Sequence, residues 1–186
     1  MYRPRWSAAF ALLFPVTLGC LSAAPNGPAR IHATIQEPQQ REAAPALRLS
    51  DASGKTATLS KFRGKVVLLD FWATECGGCV LEIPSFIEIA AKKTKNLAVV
   101  GVSMDILWED LKSPEEGWQH VRPFVKTHGV NYPILMGDDK TFKAYKLNAL
   151  PVTLLLDKKG RIAATYAGVV DKSNIEENIQ LLARER

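Results

Sequence analysis

Two long apolar runs dominate the hydrophobic pattern of the chain, Val66 to Trp72 and Leu97 to Ser103. Runs without alternating polar positions are typical of strands that are covered on both faces of a parallel α/β sheet. Three shorter segments also predict strands, at residues 132–136, 152–157 and 161–167, and a Lys-Lys-Gly turn joins the last two. The pattern therefore predicts a largely buried sheet.

Helical periodicity appears directly after the first buried run. Apolar residues recur at Val80, Ile83, Ile87 and Ala90, and Pro84 inside this pattern predicts a kink. The first strand is therefore expected to lead straight into a helix.

A second helical pattern closes the chain. Ser173, with Glu176 three residues later, forms a capping-box signature, and the apolar positions that follow predict the inner face of a helix. These positions are Ile175, Ile179 and Leu182. Strands that alternate with helices, followed by a closing hairpin and helix, predict an α/β domain with a mixed sheet.

Residues 104–124 form a polar stretch between these patterns. Pro114 and Gly117 interrupt it, so we expect a polar insertion that leads into a short helix near Val121 to His128. Trp108 and Trp118 lie in this insertion, where they either shape a partner surface or pack a peripheral helix.

The first 24 residues have the layout of an export signal. Arg3 and Arg5 precede an apolar stretch that is shorter than the roughly 20 residues of a membrane span, and small residues follow it. Cys20 follows Thr-Leu-Gly, which resembles a lipoprotein box, so Cys20 is a candidate for lipidation. Simple cleavage after the small residues and retention as a membrane anchor are the alternatives. Each of them places the protein in the bacterial cell envelope or periplasm.

Residues 25–44 differ in composition from the rest of the chain. They are rich in Pro, Gln, Ala and charged residues without a sustained apolar period, which predicts a flexible linker. The domain is therefore expected to span residues 45–186. Leu47 and Leu49, followed by an Asp-Ala-Ser-Gly turn, predict a short hairpin at its start.

Charge and cysteine content exclude several classes of protein. The formal net charge is +5, but Lys and Arg are scattered among Asp and Glu, so no nucleic-acid partner is expected. Three cysteines cannot build a disulfide-rich scaffold. If Cys20 is lipidated or removed, the mature domain keeps one pair.

That pair, Cys76 and Cys79, lies where the first strand ends and the first helix begins. A zinc site would need a second pair or suitable histidines, and His32, His120 and His128 do not supply them, so no metal is expected. A structural disulfide across so small a ring would remove little unfolded-chain entropy. A helix N-terminus stabilises a thiolate. We therefore expect Cys76 to be the nucleophile and Cys79 the resolving thiol of a redox pair that needs no other cofactor.

The segment GKVVLLDFWATECGGCVLEIP resembles the active-site segment of thioredoxin-like proteins, and most closely that of the exported TlpA/ResA-like group. Supporting matches are LRLSDASGKTATLSKFRGK at the domain entrance, the Glu82-x-Pro84 pattern, and ALPVTLLLDKKGRI. The resemblance covers roughly residues 45–183. It implies a thioredoxin-like fold, with a mixed central sheet flanked by helices, an N-terminal hairpin and an insertion before the half that contains a cis-proline.

The resemblance also implies roles for residues around the pair. Pro151 should be the cis-proline that faces the cysteines, so that the backbone of Leu150 is presented to a substrate chain. Asp70 matches the buried acid of thioredoxin and would shuttle the proton of Cys79, unless it turns to solvent. The predicted substrate contacts are Trp72, Gly77, Gly78 and Leu150.

Glu75 departs from the family pattern, which usually has tryptophan before the first cysteine. Its carboxylate either disfavours the Cys76 thiolate or points into water. Gly77 and Gly78 supply no side-chain donor that would stabilise the thiolate. A destabilised thiolate makes the dithiol more reducing, so we expect a reductant.

The function expected from these features is that of a thiol–disulfide oxidoreductase that reduces disulfides in exported client proteins. The resemblance implies clients such as apocytochrome c or other metal-site thiols, and a membrane thiol transporter as electron donor. A disulfide oxidant or isomerase, and a carrier without redox turnover, are the alternatives. A thiol peroxidase is a weaker one, because Leu69 and Ala73 occupy the positions where peroxidases have Pro and Thr or Ser.

Overall fold

A five-stranded mixed sheet forms the centre of the domain. The computed structural model describes residues 27–185, so the predicted export segment, with Cys20, lies outside the described residues. Within residues 27–185, no helix is long and apolar enough to cross a membrane.

The strands of the domain are numbered in chain order. They are β1 Arg48–Ser50, β2 Thr56–Thr58, β3 Val66–Trp72, β4 Leu97–Ser103, β5 Ile134–Met136, β6 Val152–Leu156 and β7 Ile162–Ala167. The central sheet has the order β5-β4-β3-β6-β7, in which β3, β4 and β5 are parallel and β6 is antiparallel to both neighbours. Strands β1 and β2 form the separate antiparallel hairpin that the turn signal predicts.

Five α-helices surround the sheet in the described part of the chain. They are α1 Gly77–Ala91, α2 Asp105–Trp108, α3 Pro114–His128, α4 Asp139–Ala144 and α5 Lys172–Arg184. Helices α1, α3 and α5 pack on one face of the sheet, while the hairpin and α4 cover the other. Every residue of β3 is buried, because this strand is in the middle of the sheet and both of its faces are covered. The predicted mixed α/β fold is confirmed.

The helix predicted near Val121 to His128 begins earlier than expected, because α3 starts at Pro114 and runs for 15 residues. Ser113 caps the helix by accepting a hydrogen bond from the Glu116 N–H, and proline is well tolerated in the first turn of a helix. Gly117 lies inside the helix where a Cβ would be only 2.9 Å from the Met136 side chain. This glycine therefore allows close packing and does not break the helix.

The last helix begins slightly earlier than the predicted capping box at Ser173. Asp171 is the N-cap, and its carboxylate accepts a hydrogen bond from the Asn174 N–H at 2.9 Å. The Ser173 hydroxyl donates to the same carboxylate and so supports the cap. The predicted inner face is correct, since Ile175, Ile179 and Leu182 are buried.

Residues 30–44, which we call the N-terminal strap, lie along the domain and differ from the flexible linker predicted for residues 25–44. Gln36 N–H donates to the Ala163 carbonyl at 2.8 Å, and Ile162 N–H donates to the Glu42 carbonyl at 2.8 Å. The strap thus follows the outer side of β7, and the folded domain begins before residue 45.

An alternating apolar pattern that the sequence analysis overlooked explains this packing. Ile31, Ala33 and Ile35 are half-buried against the core, whereas the residues between them are exposed. Alternation with period two is the signature of an extended segment that is covered on one side.

A buried ion cluster holds the C-terminal part of the strap in place. Arg41 donates to both carboxylate oxygens of Glu185, at 2.6 and 2.7 Å, and to Asp157 at 3.3 Å. Its side chain is 1% exposed, and Asp157 is also bound by Arg161. A charged group so far from water needs such partners.

We expect Arg41→Ala to lower the free energy of unfolding by about 3 kcal/mol, because it leaves the carboxylate of Asp157 buried with fewer partners. Lys143→Ala is the matched control. It removes an exposed ion pair with Asp139 and should cost less than about 1 kcal/mol. Urea titration of the oxidised protein measures both, and equal losses would contradict a buried cluster.

Candidate active site

The two cysteines form a disulfide at the start of α1, with an S–S distance of 2.09 Å and a Cα–Cα distance of 5.2 Å. Cys76 is the N-cap of the helix, and the Cys79 N–H points to its Sγ at 3.3 Å. Cys76 is 5% exposed and Cys79 is fully buried. An incoming group can therefore reach only Cys76 of this pair.

The turn that contains Pro151 lies directly against the cysteine pair. The Leu150–Pro151 peptide bond is cis. A Cβ at Gly78 would lie 3.1 Å from Pro151 Cδ and 3.4 Å from Val169 Cγ2, so Gly78 lets the two segments approach closely. Leu150 is partly exposed and Gly77 is exposed, so both are open to a substrate chain.

Asp70 lies in the middle of β3, opposite Gly101 of β4 and Thr153 of β6. It is fully buried, which excludes the alternative that it turns to solvent. Among the described residues, neither carboxyl oxygen has a partner in hydrogen-bonding geometry. Burial raises the pKa of Asp70, and the neighbouring Thr153 and Glu82 side chains oppose this only in part.

Glu82 is a second buried acid at this site, which the sequence analysis used only as part of a family motif. It lies one helical turn after Cys79, and its Oε2 accepts a hydrogen bond from the Val170 N–H at 3.0 Å. Burial raises the pKa of Glu82, and the charge of Asp70 raises it further. The spacing of three residues from Cys79, on the face that carries the buried Ile83 and Phe86, was the signal that could have revealed it.

Two aromatic rings, those of Trp72 and Tyr132, lie next to Gly101, which is opposite Asp70 in the sheet. A Cβ at Gly101 would lie 2.9 Å from Trp72 Nε1 and 3.3 Å from Tyr132 Cε2, so this glycine leaves the space that both rings fill. Burial raises the pKa of the Tyr132 hydroxyl, as do the charges of Asp70 and Glu82.

The predicted substrate contact through Trp72 is wrong, because this side chain is fully buried. Its ring packs against Phe124 of α3, with the ring centroids 5.1 Å apart. Trp72 therefore supports the cysteine pair from within the core. An aromatic residue close to an active-site motif does not by itself reveal whether it faces the solvent or the core.

Hydrogen bonds fix the loop that precedes Cys76. The Thr74 N–H and hydroxyl both donate to Asp105 Oδ1, at 3.1 and 2.5 Å, and the Ser103 hydroxyl donates to Oδ2 at 2.6 Å. The next residue, Glu75, is exposed, in agreement with the alternative that it points into water. Asp105 thus ties the Cys76 loop to the end of β4.

The two tryptophans of the insertion have different environments. Trp118 is 6% exposed and belongs to the core, whereas Trp108 is 45% exposed at the end of α2. Of the two, only Trp108 is available to a partner.

The Redoxin family model matches residues 39–179. The chain is 36% identical over 148 residues to the thioredoxin-like protein YneN of Bacillus subtilis, across 79% of this chain and 81% of that protein. It is 30% identical over 138 residues to the thiol-disulfide oxidoreductase ResA of Geobacillus thermodenitrificans, across 74% of each protein.

Solved structures show the same fold. The solution structure of a putative thioredoxin from Neisseria meningitidis superposes with a TM-score of 0.64 at 34% identity, across 76% of this chain and 90% of that one. The chain therefore belongs to the Redoxin family, and it is a thiol–disulfide oxidoreductase with a thioredoxin-like fold that is related to the ResA proteins.

Proposed function

We propose that this oxidoreductase works in the bacterial cell envelope, where it passes electrons from the Cys76–Cys79 dithiol to disulfides of exported proteins. The observation that carries the direction of electron flow is a pair of buried acids: Glu82 lies one helical turn after the buried Cys79, and Asp70 lies close enough to Glu82 to raise its pKa. Burial disfavours a thiolate at Cys79, and ionisation of either acid would disfavour it further. A reduced form that is not stabilised as a thiolate is more easily oxidised, so the protein gives electrons away.

The reaction begins at Cys76. Its thiolate attacks one sulfur of the client disulfide, and the other client sulfur leaves as a thiolate that takes a proton from water. Cys79 then loses its proton and attacks Cys76 Sγ, which releases the second client thiol and forms the Cys76–Cys79 disulfide. Counted from the fully protonated dithiol, whose Cys76 proton goes to water when the thiolate forms, the protein loses two electrons and two protons, and the client gains two electrons and two protons.

Asp70 is the proposed acceptor for the proton of Cys79. The Cys79 thiol is fully buried, so a nearby carboxylate is a better acceptor than bulk water. A carboxyl whose pKa is raised by burial is also a stronger base than an exposed one. The segment around cis-Pro151 would align the client chain beside Cys76.

The export layout of residues 1–24 and the kinship with ResA support a location in the envelope. The proposed clients are exported proteins with disulfides, including apocytochrome c or metal-site thiols. A membrane thiol reductant would return the pair to the dithiol form, and a lipidated Cys20 or an uncleaved N-terminal segment would keep the protein near that donor.

We expect a reduction potential near or below thioredoxin's roughly −270 mV for the Cys76–Cys79 couple. The measurement is equilibration of the purified protein in defined thiol–disulfide buffers, followed by alkylation of the free thiols. A Cys79→Ser variant controls for reaction at other thiols. A potential near the roughly −120 mV of strong oxidants would reverse the proposed direction of electron flow.

Replacing Asp70 with Asn should slow the attack of Cys79 on the mixed disulfide by at least about tenfold, because the proton acceptor is lost. In the unsubstituted protein this step should accelerate as pH rises through the raised pKa of Asp70, and Asp70→Asn should lack that acceleration. Stopped-flow detection of release of a fluorescent peptide from Cys76 measures the step. Asp139→Asn, at an exposed acid of α4, is the control. Equal rates for the three proteins would remove Asp70 from the mechanism.

The raised pKa of Asp70 also has a consequence for stability. Its stabilising contribution is complete below the unfolded value, at about pH 4, and is lost as pH rises through the raised folded value. Asp70→Asn should therefore gain at least about 1 kcal/mol relative to the unsubstituted oxidised protein at alkaline pH, and little at low pH. Thermal unfolding across pH tests this. Glu75→Gln, at an exposed acid, should follow the unsubstituted curve, and a parallel curve for Asp70→Asn would contradict the assignment.

A further inference from the structure

The N-terminal strap reaches the redox site from outside the part of the chain that the Redoxin model matches, which begins at residue 39. Ile31 forms a parallel bridge with Val170, the residue whose N–H donates to Glu82. The Ile31 N–H donates to the Val169 carbonyl at 2.8 Å, and the Asp171 N–H donates to the Ile31 carbonyl at 3.0 Å. The strap therefore holds Val170 from both sides.

The segment 168–171 lies between the strap and the cysteine pair. Gly168 N–H donates to the Pro151 carbonyl at 3.0 Å. A Cβ at Gly168 would meet Ile31 Cγ1 at 3.1 Å. A displacement of the strap would therefore reach the cis-proline turn and the N–H that points at Glu82.

Two asparagines of α5 hold the strap in this position. Asn174 Oδ1 accepts a hydrogen bond from the Ala33 N–H at 2.9 Å, and Asn178 Nδ2 donates to the Ala33 carbonyl at 2.8 Å. Asn178 is buried and also donates to the Tyr166 hydroxyl. The backbone N–H and carbonyl of Ala33 thus both have hydrogen-bond partners on α5.

Several charged or titratable groups face Glu82 from the elements packed around it. Asp70 lies on β3, Tyr132 precedes β5, and Cys79 lies one turn earlier on α1. From the strap, Arg30 lowers the pKa of Glu82, as does the hydrogen bond from the Val170 N–H, against the larger effects of burial and Asp70.

We propose that residues 30–33 are positioning residues of the redox site, which hold Val170 where its N–H stabilises the carboxylate of Glu82. This role rests on the proposed function, since Glu82 matters through its charge beside Cys79. When Glu82 is ionised, Cys79 is a poorer leaving thiolate. The strap therefore sets the pH at which the disulfide becomes harder to reduce.

The rate at which dithiothreitol reduces the Cys76–Cys79 disulfide depends on the charge of Glu82, because attack at Cys76 expels Cys79 as a thiolate. The ratio of the rates for the unsubstituted protein and Glu82→Gln, measured from about pH 5 to pH 10, should fall where Glu82 ionises. The reagent's own ionisation cancels in this ratio.

Ile31→Pro removes the N–H that binds the Val169 carbonyl. The ratio of the rates for Ile31→Pro and for the double variant Ile31→Pro/Glu82→Gln should fall at a pH about one unit higher. The reason is that a weaker hydrogen bond from the Val170 N–H makes the Glu82 carboxylate less favourable. In a Glu82→Gln background, Ile31→Pro should change nothing further. Thr34→Pro is the matched control, since Thr34 is exposed and its N–H donates to no group of the described residues. It should leave the profile in place.

Asn174→Ala releases Ala33 without a change in the strap, and it should shift the profile in the same direction. If thermal unfolding shows that Ile31→Pro does not fold, Asn174→Ala tests instead whether the strap positions Val170. An unshifted profile in a folded Ile31→Pro variant, an equal shift in Thr34→Pro, or a persistent effect in the Glu82→Gln background would overturn the proposal. An oxidising potential with the shift intact would instead refute only the proposed direction of electron flow.

Discussion

The desolvation of the Asp70 carboxyl inside β3 constrains the chemistry of the whole site. A strand that is covered on both faces offers a charge neither water nor, among the described residues, a hydrogen-bond donor. Glu82 brings a second carboxyl into the same region, and two neighbouring carboxyls in a poorly hydrated space cannot both ionise at low cost. The site therefore holds protons at a pH where ordinary carboxyls have lost theirs, so Asp70 can accept a proton from Cys79 only once it has ionised, and the proposed resolving step depends on pH.

The two cysteines experience opposite electrostatic environments. Cys76 is the N-cap of α1, where unpaired N–H groups favour its thiolate, and it is the cysteine that reaches the surface. Cys79 is buried on the side of the acids, which favour its protonated form. In the proposed reaction, this asymmetry would let Cys76 attack first, while Cys79 keeps its proton until a mixed disulfide has formed. Gly78 makes the arrangement possible, since a side chain there would crowd Pro151.

How far the sequence predicts the structure depends on the range of the interactions involved. The bounds of β3 and β4 follow from unbroken apolar runs, and the cysteine pair follows from a local motif. Glu82 and Trp72 were harder to interpret, because their roles depend on which side of α1 and β3 faces the core. The predicted start of α3 near Val121 was wrong for a related reason. Pro114 and Gly117 disrupt an isolated helix, but here one lies in the first turn and the other packs against Met136 from a distant strand.

The strap is the segment whose structure was hardest to predict from local sequence, because it depends on long-range contacts. These contacts also explain why the folded domain extends beyond the residues that the Redoxin model matches. Ordering an extended segment costs about 1–2 kcal/mol per residue, and the half-buried Ile31, Ala33 and Ile35 offset only part of this. The remainder comes from partners more than 100 residues away, namely the asparagines of α5 and the ion cluster around Arg41. Since the strap also covers part of the outer edge of β7, it shields a strand that could otherwise pair with another chain. The same contacts hold the strap against Val170, so edge protection and the proposed control of Glu82 would both depend on them.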